Sequence, residues 1–149
     1  MKTTVTYPAL DEIFELTLDG DAPENRPLEM VRADGYDEPE KWKHTGLTVT
    51  GQQTRRGKLV LVGYCDSFDE VKAKLAAQGT IPEGQWREAF KARYPTLDGK
   101  GSIGVADASW ASPHGGASFP YVDSFGFSLF DSADGGFDER WRWLVLVGK

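Results

Sequence analysis

Cys65 is the single cysteine of the chain, and it stands where a thiol can be activated. It follows the apolar run Leu59-Val60-Leu61-Val62 and precedes Ser67-Phe68-Asp69-Glu70, a capping box that predicts a helix start. A helix dipole at that point lowers a thiol pKa and favours the nucleophilic thiolate. His114, in Ser112-Pro113-His114-Gly115-Gly116, would serve as base, and Asp123 would orient the imidazole, in a cysteine-hydrolase order. Three points weigh against it. Ser67 rather than Cys65 holds the capping position, no oxyanion-hole motif is readable, and a lone cysteine after a core strand ordinarily packs. The hydrolase is therefore the alternative reading, conditional on an accessible Cys65 close to His114.

A second constellation is aromatic and acidic. Trp110, Tyr121, Phe125, Phe127, Trp141 and Trp143 have Asp107, Asp123 and Glu139 near them in sequence. Ring faces and a carboxylate can receive an organic cation or an apolar ligand, so Trp110, Tyr121, Asp123, Phe125, Trp141 and Glu139 form the expected binding set. The competing account is that these rings fill the core. Ser124, Gly126 and Ser128, small residues on one face of a strand, leave space for a ligand, a partner or another backbone.

Other motifs carry less chemistry. Four Asp-Gly pairs lack the spacing of a calcium loop and read as turns, so no metal site is expected. Arg55-Arg56-Gly57-Lys58 has no following helix to cradle a phosphate and reads as a charged hairpin tip. Arg87, Lys91 and Arg93 lie on the second of two consecutive helices, but Glu83 and Glu88 dilute that field and the spacing departs from a DNA-binding helix-turn-helix. Walker and dinucleotide glycine patterns are absent, and no cofactor is expected.

The elements that must position these residues follow from periodicity. Glu12 to Leu18 alternates as a half-buried strand, and Trp143 onward is apolar on both faces, the mark of an inner strand. Tyr121 to Phe130 reads as one strand, joined to Trp141–Val147 through the Asp131–Gly136 turn. Leu47–Thr50 and Lys58–Tyr64 read as a hairpin around residues 51–57. Asp19 to Glu40, with three prolines, reads as a long acidic loop holding at most a short strand at Leu28–Arg32. Helices are expected from Ser67 to about Gln78 and from Thr80 to Tyr94, and a short strand at Ser102–Ala106. The expected fold is α+β: one domain over residues 1–149, with an antiparallel or mixed sheet of about five to seven strands and two consecutive helices on one face.

The chain has 149 residues and a net charge of −6, with 11 acids against 3 bases in residues 1–40. That balance argues against non-specific nucleic-acid or anionic-membrane binding and leaves open a basic or cationic partner. The amino-terminal residues carry no signal-peptide pattern and no apolar run spans a membrane, so a cytoplasmic location is expected. The leading expectation is a non-catalytic binding protein that engages a small molecule or a protein partner through its aromatic carboxy-terminal sheet. Self-association into a homodimer is one form of the partner version. An acidic inhibitor mimicking nucleic acid is a further alternative.

Overall fold

The computed structural model describes residues 7–95, 100–123 and 128–148. Its frame is one mixed sheet of eight strands: β1 (Phe14–Asp19), β2 (Lys43–His44), β3 (Gln52–Leu61), β4 (Ile103–Gly104), β5 (Trp110–Ala111), β6 (Ala117–Val122), β7 (Ser128–Ser132) and β8 (Arg142–Val147). They lie in the order β1-β3-β8-β4-β6-β5-β2, with β7 paired to β6 off that path. β4 runs parallel to β8 and antiparallel to β6, which makes the sheet mixed. Three helices accompany it: α1 (Pro27–Ala33), α2 (Phe68–Ala76) and α3 (Trp86–Arg93).

β8 is the inner strand its composition predicts. It pairs with β3 on one side and β4 on the other, and its residues from Arg142 to Leu146 are buried. Successive side chains serve opposite faces. Leu144 and Leu146 join Phe14, Leu16, Leu18 and Leu59 beneath Trp86, Ala89 and Phe90 of α3. Trp143 and Val145 join Val60 and Phe119 beneath Phe68, Val71 and Leu75 of α2. The two helices therefore cover opposite faces, where the sequence suggested one.

The crossing point accounts for the difference. β4 accompanies β8 only as far as Trp143; farther along, Thr80 takes the vacant edge, exchanging backbone hydrogen bonds of 2.8 and 2.9 Å with Leu146. The chain between α2 and α3 thus passes from one face to the other beside β8. Thr80 is a bridge residue rather than a helix cap, and α3 begins at Trp86.

The Ser67 half of the capping box forms as its spacing predicts, while Glu70 reaches back one residue beyond the cap. Ser67 Oγ accepts from the Glu70 N–H at 3.1 Å, and Glu70 Oε1 accepts from the Asp66 N–H, one residue before the cap. Lys74 Nζ donates to the carbonyls of Val62 and Tyr64, fastening α2 to the chain that leaves β3. β1 also follows its sequence, with Phe14, Leu16 and Leu18 buried and Glu15, Thr17 and Asp19 exposed.

Other expectations are corrected. Tyr121–Phe130 is not one strand: β6 ends at Val122 and pairs antiparallel with β7, with Val122 opposite Ser128. Ser124, Phe125, Gly126 and Phe127 lie outside the described residues. β7 pairs with β6 rather than β8, so the two carboxy-terminal runs are not neighbours. Arg55 and Arg56 lie within the ten-residue β3 and face Leu16 and Glu15 of β1, so they are not at a hairpin tip, and Leu47–Thr50 is not a strand. The Asp19–Glu40 segment contains α1 instead of a strand. Pro27 occupies its first turn, where no N–H is needed, and Met30 and Val31 bury its inner side.

α1 is held by a buried ion pair. Arg87 of α3 donates to both carboxylate oxygens of Asp34 at 2.8 and 3.0 Å, and also to the Leu129 carbonyl at 2.9 Å and to Glu88. Its guanidinium lies 5.2 Å from the Phe130 ring centroid. Burial pushes the Asp34 carboxyl above its ordinary pKa, and Arg87 opposes that shift. Tyr36 closes the joint by donating to the Phe130 carbonyl and accepting from its N–H.

Candidate functional site

The aromatic set does not converge. Trp110 is buried among Met30, Val31, Trp42 and Phe130, with its indole N–H donating to the Pro27 carbonyl at 3.0 Å. Opposite Ser118 in the register, it lies on the face away from Phe119. Tyr121 and Trp141 occupy the other face, with ring centroids 5.3 Å apart, and Trp141 stacks on Trp143 at 5.2 Å. Burial, then Asp131, Tyr36 and Asp123, push the Tyr121 phenol up to about 12. Glu139 is exposed and belongs to a different hollow, and Phe125 lies outside the described residues. Most of the rings are core.

Cys65 is fully buried and exchanges backbone hydrogen bonds of 2.9 and 2.8 Å with Phe137. Burial raises its thiol pKa, more than the nearby Lys74 lowers it. The helix dipole does not activate it, because Ser67 takes the cap and the thiol packs among Phe68, Phe137 and Trp143. His114 is exposed on the turn between β5 and β6. An accessible thiol, the condition for the Cys65, His114, Asp123 hydrolase, is not met in this conformation.

Among the hollows lined by described residues, two are candidate sites. The first, about 490 Å³, opens where β3 ends and β8 begins. The register sets Leu61 beside Arg142. Tyr7, Pro8, Ala9, Leu10 and Leu61 are its apolar lining, and Lys100, Arg140, Arg142 and Glu139 its charged lining. Arg142 is only 6% exposed; its Nη2 donates to the Gly101 carbonyl at 2.8 Å and its guanidinium lies 5.6 Å from the Tyr7 ring centroid. Tyr7 in turn packs on Phe90 of α3 at 5.1 Å. Arg140 is exposed and pairs with Asp138 at 3.2 Å. The volume falls within the several hundred Å³ usual for small-molecule sites.

The second hollow, about 770 Å³, is an open groove between the start of α1 and residues 48–50, with His44 in its lining. Its charged residues, Asp21, Glu29 and Arg26, are of mixed sign. Burial lowers the His44 pKa, against an opposing pull from Asp107, and Nε2 is buried without a hydrogen-bond partner. Asp107 accepts from the Gly84 N–H at 2.8 Å and from the Ser109 hydroxyl. No group of three or more potential ligands for a metal ion occurs among the described residues.

Sequence reasoning reached only Glu139 of the first hollow and missed Tyr7, Lys100, Arg140, Arg142 and His44. Of these, Arg142 carried a signal: a charged residue beside an otherwise apolar strand run, where a charge is retained only with partners. Compared with protein-family models, curated proteins and solved structures, the chain matches none.

Proposed function

We propose that this protein is a small non-catalytic binding protein whose ligand is an anion held in the hollow lined by Lys100, Arg140 and Arg142. One observation carries the reading: three cations line one hollow, against Glu139 and the Asp138 that pairs with Arg140, in a chain whose net charge is −6. A local positive field on an acidic protein selects anions at that place and repels them elsewhere. Guanidinium groups also suit a carboxylate or phosphate, because two parallel N–H donors match two oxygens. The ligand differs from the cation suggested by the aromatic residues, since those rings are largely committed to packing.

The test is isothermal titration calorimetry with benzoate and benzylammonium, which share shape and differ in charge. Benzoate should bind saturably and benzylammonium should not. Exposed Arg140→Gln should weaken benzoate without altering the circular dichroism spectrum, and Arg142→Gln should abolish binding. Equal binding of both compounds, or benzoate binding unchanged in both variants, refutes the assignment.

A further inference from the structure

The hollow is lined by residues of two kinds, and the apolar ones have no use in binding a bare anion. Leu10 and Leu61, 42% and 45% exposed, both line it. Among the described residues they are two of the few large hydrophobic side chains left in water, and they come from remote positions. The β3 register and the Leu10–Leu59 bridge bring them together. Tyr7 and Pro8 belong to the same apolar lining. Exposed apolar side chains that gather in a concavity mark a site for apolar surface. Lys100, Arg140 and Arg142 line the same hollow, Arg142 beside Leu61 in the register and against the Tyr7 ring, while Glu139 there opposes a high density of negative charge.

We infer that the ligand is an amphiphilic monocarboxylate, an acyl or aryl acid. Its apolar body lies along Leu10, Leu61 and Tyr7, and its carboxylate faces the three cations. This rests on the anion-binding reading above and adds the chemistry of the rest of the molecule. It places free phosphate and acetate among weak ligands, since neither covers the apolar lining.

The experiment is titration of the full chain with straight-chain carboxylates from acetate to decanoate, below their micelle concentrations, alongside decanol, decylammonium and inorganic phosphate. Affinity should rise about fourfold per added methylene until the apolar lining is covered, the factor expected for transfer of one CH₂ group. Decanol should bind at least about tenfold more weakly than decanoate, the loss of one charge-assisted hydrogen bond, and decylammonium should not bind. Leu10→Asn and Leu61→Asn, both at exposed positions, should flatten the chain-length dependence. Arg140→Gln should lower decanoate towards decanol.

The failures separate. Acetate or phosphate binding as tightly as decanoate, with no chain-length dependence, overturns the amphiphile and leaves the anion site standing. Equal binding of decanoate, decanol and decylammonium overturns both, as does the absence of binding by every compound. A chain-length dependence unchanged in both leucine variants also overturns the amphiphile as assigned to this lining.

Discussion

Removing Arg87 should cost more stability than its surface charge count would suggest, because the Arg87 and Asp34 side chains are each only 1% exposed. Arg87→Met keeps an apolar stem near Phe130 but strips Asp34 of two hydrogen bonds and Leu129 of its carbonyl donor. Breaking a buried pair by removing one partner costs about 3–5 kcal/mol, because the remaining charge stays desolvated. With a urea slope of about 2 kcal/mol per M, the unfolding midpoint should fall by about 1.5–2.5 M, read by tryptophan fluorescence. The double variant Asp34→Asn with Arg87→Met should recover much of that loss, since no uncompensated charge remains. The pH dependence has a defined sign. Asp34 already titrates above its ordinary value through burial. A carboxyl with a raised folded pKa contributes stability below its unfolded pKa and loses it as pH rises through the folded one. In Arg87→Met that pKa rises further, so the deficit against the parent should narrow as pH falls from 7 towards 4. A loss below about 1 kcal/mol at pH 7 would refute the reasoning, since that is the size of an exposed pair. So would additivity of the two substitutions.

Cys65 should resist a thiol reagent in the folded protein and react stoichiometrically in urea, with the rate at intermediate urea following the unfolded fraction; fast native labelling would contradict its burial. Tyr121 should ionise only near pH 12 in a spectrophotometric titration. Because its folded pKa exceeds the unfolded value near 10, stability present below pH 10 should be lost between about 10 and 12, and Tyr121→Phe should reduce that alkaline loss. Gly104→Ala would place a Cβ 2.7 Å from the Trp143 ring and 3.3 Å from Phe119, and should cost about 1–3 kcal/mol by overpacking in thermal or urea unfolding. Ser67→Ala should cost about 1 kcal/mol through loss of its hydrogen bond to the Glu70 N–H, measured the same way.

Local spacing was legible where a rule of short range decides the outcome. The alternation of Phe14, Leu16 and Leu18, the apolar run of β8 and the Ser67–Glu70 box each specify their element within a few residues. α1 was obscured because Pro27 reads as a break in an acidic segment, although it is also suited to a first helical turn. β3 was obscured because its first half, from Gln52 to Arg56, is mostly exposed and therefore polar. The faces taken by α2 and α3 depend on Thr80 reaching Leu146, a contact between residues 66 positions apart that helical periodicity cannot encode.

The hollow is a stronger case of the same limit, and it changes how the charge should be read. The acidic total and the acid-rich amino-terminal block favour a cationic partner when charge is averaged along the chain. Charge acts through space, however, over distances comparable to the Debye length of about 8 Å at physiological salt. Lys100, Arg140 and Arg142 line one hollow because β8 begins where β3 ends, and residues of the Tyr7–Leu10 segment join its lining together with Glu139. Arg55, Arg56 and Lys58, the densest basic run in the sequence, are spread instead along β3 and do not line it. On the reading proposed above, the polarity of the hollow follows strand register rather than the average charge of the chain, and the anion proposed for it is a consequence of that register.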